Sequence, residues 1–318
     1  MQGVFLDRAS LDCGDLDFSP LDAILPDWRY YPATAPDETG DRIANAEIVI
    51  SNKVVLDAAA IQQARHLKLI SVAATGVNNV DLDAAGAQGV MVCNCHGYGT
   101  AAVAQHVFAL LLSLITRWPD YQQAVRAGRW QQSSQFCLLD FPIRELAGKT
   151  LGIVGYGELG QGVARIAEAF GMRVLIAQRP GTMETLENRL PLPVLLPQVD
   201  VLSLHCPLTP ATRGLMGAWE LALMRRDAIL INTARGGLVD EALLADALRR
   251  GALGGAGIDV LSLEPPVNGN PLLAPDIPNL IVTPHCAWGS RESRQRMIGQ
   301  LAENIAGFLH GAPLRIVR

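Results

Sequence analysis

Apolar residues in this chain fall into short unbroken runs, alternating with longer stretches where they recur every three or four positions. Early in the chain, Gly3–Leu6, Glu47–Ser51, Leu67–Ala73 and Val90–Cys93 read as strands buried on both faces. Asp57–Arg65 and Asp81–Gln88 lie between them with helical spacing. Strands separated by helices imply a small parallel α/β unit. Ala101–Arg117 then predicts a helix that is apolar on almost every face, which calls for burial between domains or subunits. Tyr121–Ile143 carries Trp130, Phe136, Phe141 and Pro142 without a period and reads as an irregular arm.

A second run of the same kind follows. Thr150–Val154, Arg173–Ala177, Val199–His205, Ala228–Asn232, Ala256–Val260 and Leu280–Thr283 are its expected strands. Gln161–Phe170, Ala218–Met224 and Glu241–Arg249 are its helices, and Arg291–Phe308 forms an amphipathic helix near the C-terminus. No internal repeat or low-complexity segment interrupts the pattern. The fold class is α/β, with two Rossmann-like doubly wound parallel sheets.

Between the strand Thr150–Val154 and the helix behind it, Gly155-Tyr156-Gly157-Glu158-Leu159-Gly160 fits GxGxxG. In that strand–turn–helix context the glycines mark a dinucleotide site, because they permit a tight turn that seats a pyrophosphate on the helix N-terminus. The fingerprint sits in mid-chain. That suits a nucleotide domain at 100–288 inserted into a smaller substrate domain made of 1–99 and 289–318, and a linear two-domain order is the alternative. An acid expected to bind the adenosine ribose after the next strand is absent, and Gln178-Arg179 stands there. Neutral Gln178 removes the repulsion of a 2′-phosphate and Arg179 can pair with one, so NADP(H) is expected alongside NAD(H). Arg179 reads equally well as a solvated loop cation.

Ligands of open α/β sheets bind beyond the carboxyl ends of the strands. Three complementary groups stand at such ends: Arg235 before Gly236-Gly237, Glu264 before Pro265-Pro266, and His285 after Pro284. Hydride transfer to a 2-oxo acid needs a cation to bind the carboxylate and polarise the carbonyl, a role suited to the planar fork of Arg. It also needs a proton donor active near neutral pH, which favours His, and a carboxylate to fix the tautomer of that His. Each group alone has an ordinary structural reading; together, downstream of a dinucleotide motif, they specify a reaction.

These segments resemble the D-isomer-specific 2-hydroxyacid dehydrogenase family over nearly the whole chain. Arg235–Glu241 matches its Arg-Gly-x-x-Val-Asp-Glu segment, Asp259–Pro265 its Asp-Val-x-x-x-Glu-Pro segment, and Thr283–Ala287 its Thr-Pro-His-x-Ala segment. The resemblance implies that Arg235 binds the substrate carboxylate and carbonyl. It makes His285 the proton donor, supported by Glu264, and puts Asp259 against the nicotinamide carboxamide. It also implies the discontinuous small domain. Trp288, with Ala74–Asp81, is most similar to the bacterial glycerate dehydrogenase (hydroxypyruvate reductase) branch. Thr75-Gly76-Val77 would then present backbone amides to the substrate carboxylate. Thr100 would lie near the nicotinamide or phosphates, a place where it also suits a helix N-cap. Cys206, Pro207 and Thr212 would line the adenine side, and Thr233 and Ala234 would complete the cofactor contacts. Lys53 reads equally as a cleft residue or a surface charge.

Composition narrows the alternatives. The chain has 318 residues, 49% hydrophobic and 18% charged, with a net charge of −5. An acidic balance without a dense basic patch opposes nucleic acid as the main partner. Val107–Ile115 is too short to span a bilayer, and the N-terminus lacks a secretion signal, so a cytoplasmic protein with no membrane partner is expected. The six cysteines, Cys93 and Cys95 among them, read as core or loop thiols, and no metal site is expected. The apolar helix and the Trp130 arm suggest a homodimer. The reaction read from the chain is NAD(P)-dependent reduction of hydroxypyruvate or glyoxylate to glycerate or glycolate. Formate oxidation is opposed by Glu264, since the resemblance predicts Gln beside the His there. Phosphoglycerate oxidation and a non-enzymatic NAD-sensing corepressor scaffold are the other readings.

Overall fold

The computed structural model describes residues 1–179 and 188–317. It divides into two compact units, Met1–Gly99 with Trp288–Arg318, and Thr100–Ala287.

In the first unit the strands are β1 (Gln2–Phe5), β2 (Asp27–Tyr30), β3 (Ile48–Ser51), β4 (Leu69–Val72) and β5 (Met91–Cys93), all parallel in the order β2-β1-β3-β4-β5. β3 and β4 are buried along their full length, as their unbroken apolar runs require. One face packs under Ile43, Ile61 and Ala85; the other is covered by Met297, Ile298, Leu301 and Ile305 of the helix Arg291–Leu309. Ser290 caps that helix by accepting from the Ser293 amide at 3.1 Å. β2 has no counterpart among the expected strands. It is an edge strand with alternating exposure, so only Trp28 and Tyr30 carry its apolar signal, and their rings stack at 5.7 Å.

The second unit holds β6 (Thr150–Val154), β7 (Arg173–Ala177), β8 (Arg189–Leu190), β9 (Val201–Leu204), β10 (Ile229–Asn232), β11 (Gly255–Ile258) and β12 (Leu280–Val282). Their order is β12-β11-β10-β9-β6-β7-β8, again all parallel. The chain departs from β6 first to one side and then to the other, so β6 and β9 flank the switch point where such sheets bind ligands. The two-residue β8 is too short to leave a sequence pattern.

Two expectations need correction in this unit. The helix Thr100–Ile115 packs against its own unit's sheet, with Val107, Leu110, Leu111 and Leu114 in one core with Leu151, Ile153, Ile229 and Ile231. Its exposed stripe is Ala101, Gln105 and Ala109, which is why no polar face stood out. The start of the irregular arm is in fact a helix, Trp118–Arg126. It buries only Ala124 and opens on Pro119, so apolar spacing could not reveal it. Among the described residues no single helix is long and apolar enough to cross a membrane.

Candidate active site

Pairing across the second sheet aligns Val154, Leu204, Asn232, Ile258 and Val282 in one row at its carboxyl edge. Arg235, Leu261 and His285 each lie three residues beyond that row, on the loops after β10, β11 and β12. Parallel pairing therefore gathers residues that are far apart in sequence at one edge of the sheet.

His285 Nδ1 and Glu264 Oε2 are 2.5 Å apart, with the side chains 30% and 34% exposed. Both are thus reachable from solvent while paired. Glu264 Oε1 accepts from the Leu261 amide at 2.8 Å, which turns the other carboxylate oxygen to the imidazole. His285 has a φ of +52°, a left-handed conformation unfavourable for a residue with a Cβ. Its amide donates to Asp259 O at 2.8 Å and Thr283 O at 3.0 Å, which helps hold that conformation. Beside the pair lies a cavity of about 410 Å³ walled by Leu261, Pro265, Pro266, Leu273, Val282 and Pro284.

Asp259, expected to contact the nicotinamide, has an observed task within its own loop. Its buried carboxylate accepts from the Thr283 hydroxyl at 2.6 Å and from the amides of Cys286 and Ala287 at 3.0 and 2.9 Å. These bonds clamp the loop that carries His285. His106, Asp259 and Cys286 bring one donor atom each within 4.8 Å of one another, but Asp259 is already committed to that loop. Asn232 does the same for Arg235. Its amide group donates to Arg235 O at 2.9 Å and accepts from the Ala234 amide at 3.1 Å. The half-buried Arg235 donates through Nη1 to Ala234 O at 2.7 Å. Sequence reading passed over Asn232, whose place at a strand end is its only signal.

The fingerprint residues fit a dinucleotide. Gly155 has a φ of +96°, and a Cβ there would meet Cys206 N at 2.6 Å, so the turn closes only on glycine. Gly157 is open, with nothing within 4 Å of where a Cβ would be. It caps the helix Glu158–Ala169 without a side-chain bond, leaving the first amides, including those of Glu158, Leu159 and Gly160, available to an anion. Two enclosed atoms just beyond the strand row, His205 Nδ1 and Thr233 Oγ1, have no hydrogen-bond partner among the described residues. Thr100 donates to Glu158 Oε1 at 2.7 Å, bracing the start of that helix. Cys206 is buried, and burial pushes its thiol up to about 11. Pro207 is exposed beside it. Thr212 is 4% exposed and donates to Pro207 O at 2.7 Å, so it shapes the loop from within.

Gln178 is half-buried at the end of β7, its amide held by Leu190 O at 2.8 Å, and Arg179 beside it is exposed. In the first unit, Thr75-Gly76-Val77 follows β4, with Thr75 exposed and its carbonyl accepting from Asn94 Nδ2 at 2.8 Å. Trp288 packs into that unit's core with Phe18, Met297 and Leu301. The exposed Lys53 has its amide on Asp7 Oδ2 at 2.7 Å. Burial pushes the Cys93 and Cys95 thiols up to about 11 and about 12, which keeps them protonated and unreactive.

Comparison with known proteins agrees with this geometry. A family model described as the D-isomer specific 2-hydroxyacid dehydrogenase NAD binding domain matches residues 108–287. The glycerate dehydrogenase of Methylorubrum extorquens is 46% identical over 99% of this chain and 98% of its own. A solved protein of Thermus thermophilus superposes with a TM-score of 0.86 at 37% identity, covering 100% of both chains. The NADPH-dependent glyoxylate/hydroxypyruvate reductase of Sinorhizobium meliloti does so with a TM-score of 0.82 at 27% identity, covering 100% of this chain and 98% of its own. Fingerprint, strand-end groups and full-length similarity together show that this chain belongs to the D-isomer-specific 2-hydroxyacid dehydrogenase family.

Proposed function

We propose that the protein reduces a small 2-oxo acid, hydroxypyruvate or glyoxylate, to the corresponding 2-hydroxy acid, D-glycerate or glycolate. The observation that carries this reading is the Glu264–His285 pair at 2.5 Å, beside the strand end that bears Arg235. A bound nicotinamide supplies the hydride to C2. Arg235 holds the substrate carboxylate and polarises the carbonyl with its guanidinium fork. Glu264 accepts from Nδ1 and so leaves Nε2 of the protonated imidazole to deliver the proton to the forming alkoxide. The names of the Methylorubrum and Sinorhizobium proteins support this substrate class.

Absorbance of NADH and of NADPH, followed with a panel of 2-oxo acids, tests the reading. Turnover is expected with hydroxypyruvate or glyoxylate, and no turnover of any 2-oxo acid with either coenzyme overturns it. We infer that NADPH is accepted, supported by Gln178 and Arg179 where a ribose-binding acid would stand. A preference for NADH beyond about tenfold, some 1.4 kcal/mol, contradicts that inference.

We also infer a homodimer in a reducing, cytoplasmic compartment. All six cysteines are free, which suits that compartment. In the second unit the large apolar side chains of Trp118, Trp130, Phe136, Leu139 and Ile143 are 61, 52, 90, 77 and 54% exposed, all within one stretch of chain. The arm that carries them is shaped by Tyr121, whose hydroxyl donates to Phe141 O at 2.7 Å, and by Trp130 Nε1, which donates to Phe136 O at 3.0 Å. The patch therefore has a defined form to offer a second copy. Phe136→Asp should shift the protein from dimer to monomer in light scattering; an unchanged mass excludes this face as the interface.

A further inference from the structure

We propose that Glu241 is a positioning residue for the proton-transfer pair, holding the loop from which Glu264 reaches His285. The inference rests on the roles assigned above to Glu264 and His285. Glu241 opens the helix Glu241–Arg249, and its carboxylate bonds to Ser262 and Asn270, so its effect on the pair passes through the loop.

The connections are specific. Glu241 Oε1 accepts from the Ser262 amide at 2.6 Å. Its Oε2 accepts from the Ser262 hydroxyl at 2.6 Å and from Asn270 Nδ2 at 2.7 Å. Ser262 is therefore gripped at both its backbone and its side chain. The residue before it, Leu261, donates its amide to Glu264 Oε1, and Glu264 Oε2 then meets His285 Nδ1. The far end of the loop is fixed too, because Asn270 Oδ1 accepts from the Leu272 amide at 2.9 Å.

A second grip comes from the start of the same segment. A Cβ on Gly236 would lie 2.0 Å from Leu261 C and 2.3 Å from Ser262 N, so this backbone packs directly on the Glu264 loop. Arg235–Glu241 thus presents Arg235 at one end and secures Glu264 at the other. Only a carboxylate satisfies all three donors at Glu241. An amide offers a single acceptor oxygen and turns its own N–H groups toward groups that also donate. A residue serving only the helix would favour the N-terminal dipole, which requires a charge there but not these partners.

The test is a double-mutant cycle with Glu241→Gln and Glu264→Gln, assayed by reduction of hydroxypyruvate and glyoxylate. Glu241→Gln should lower kcat roughly 5–20-fold, within the range of coupled neighbours, with KM changed less than about threefold. In the Glu264→Gln background its effect on kcat should shrink to less than about twofold, because the group it acts through is already disabled. Effects that multiply in the double variant, or a loss that falls on KM and not on kcat, overturn the proposal. If Glu241→Gln fails to fold, Ser262→Ala removes one of the three bonds and carries the same cycle and the same criteria. A wild-type protein inactive on every 2-oxo acid overturns the functional reading and this inference with it; an active wild type with multiplicative effects overturns only the inference.

Discussion

His285→Gln lowers kcat for 2-oxo acid reduction by about 10²–10⁴-fold, the usual worth of a positioned general acid, and leaves KM within a few-fold. Glutamine keeps the polarity and much of the reach of the imidazole but cannot deliver a proton. The side chain is 30% exposed, and the loop around it is held by Asp259 through Thr283, Cys286 and Ala287, none of which the substitution touches. The thermal midpoint should therefore change little, and binding of NAD(P)H, read by its fluorescence, should persist. A His285→Gln protein with near wild-type kcat removes His285 from the proton step.

Arg235→Ala has the second large effect, and it falls on both kinetic constants. A charged hydrogen bond is worth about 1.5–3 kcal/mol. A guanidinium that holds the carboxylate and also polarises the carbonyl contributes to binding and to the transition state alike. The expected loss in kcat/KM is about 10²–10³-fold, with KM raised and kcat reduced. Arg235→Lys should recover only part of it, since an ammonium keeps the charge and loses the fork. The turn itself should survive, because Asn232 binds the backbone of Ala234 and Arg235 and not the side chain. A variant altered in kcat alone would place the guanidinium away from the substrate carboxylate.

Much of this was legible in the residues. Strands β3, β4, β9 and β10 are buried from end to end, and β6 from Leu151 to Val154, so their apolar runs had no rival reading. Gly155 was legible because its φ and its approach to Cys206 both demand glycine. Arg235, Glu264 and His285 stood out as candidates only in combination, as complementary groups at successive strand ends, since each alone has an ordinary structural reading. What escaped was held by context. β2 and the helix Trp118–Arg126 bury too little to show a period. Asn232 binds only its immediate neighbours and carries no signal beyond its place at a strand end, while Glu241 meets Ser262 and Asn270, which lie 21 and 29 residues further along the chain. Asp259 was assigned to the nicotinamide by the family resemblance; the fold adds that three local donors use its carboxylate.

The clamp at Asp259 has a consequence for how the site answers to ionic strength. The Glu264–His285 pair is partly open to water, so dissolved ions weaken its attraction to some degree. The Asp259 side chain has no accessible surface, and its bonds to the loop lie beyond the reach of counterions. Salt therefore weakens the attraction within the Glu264–His285 pair while leaving the pose of the loop intact, which separates in one salt series what electrostatics contributes from what geometry does.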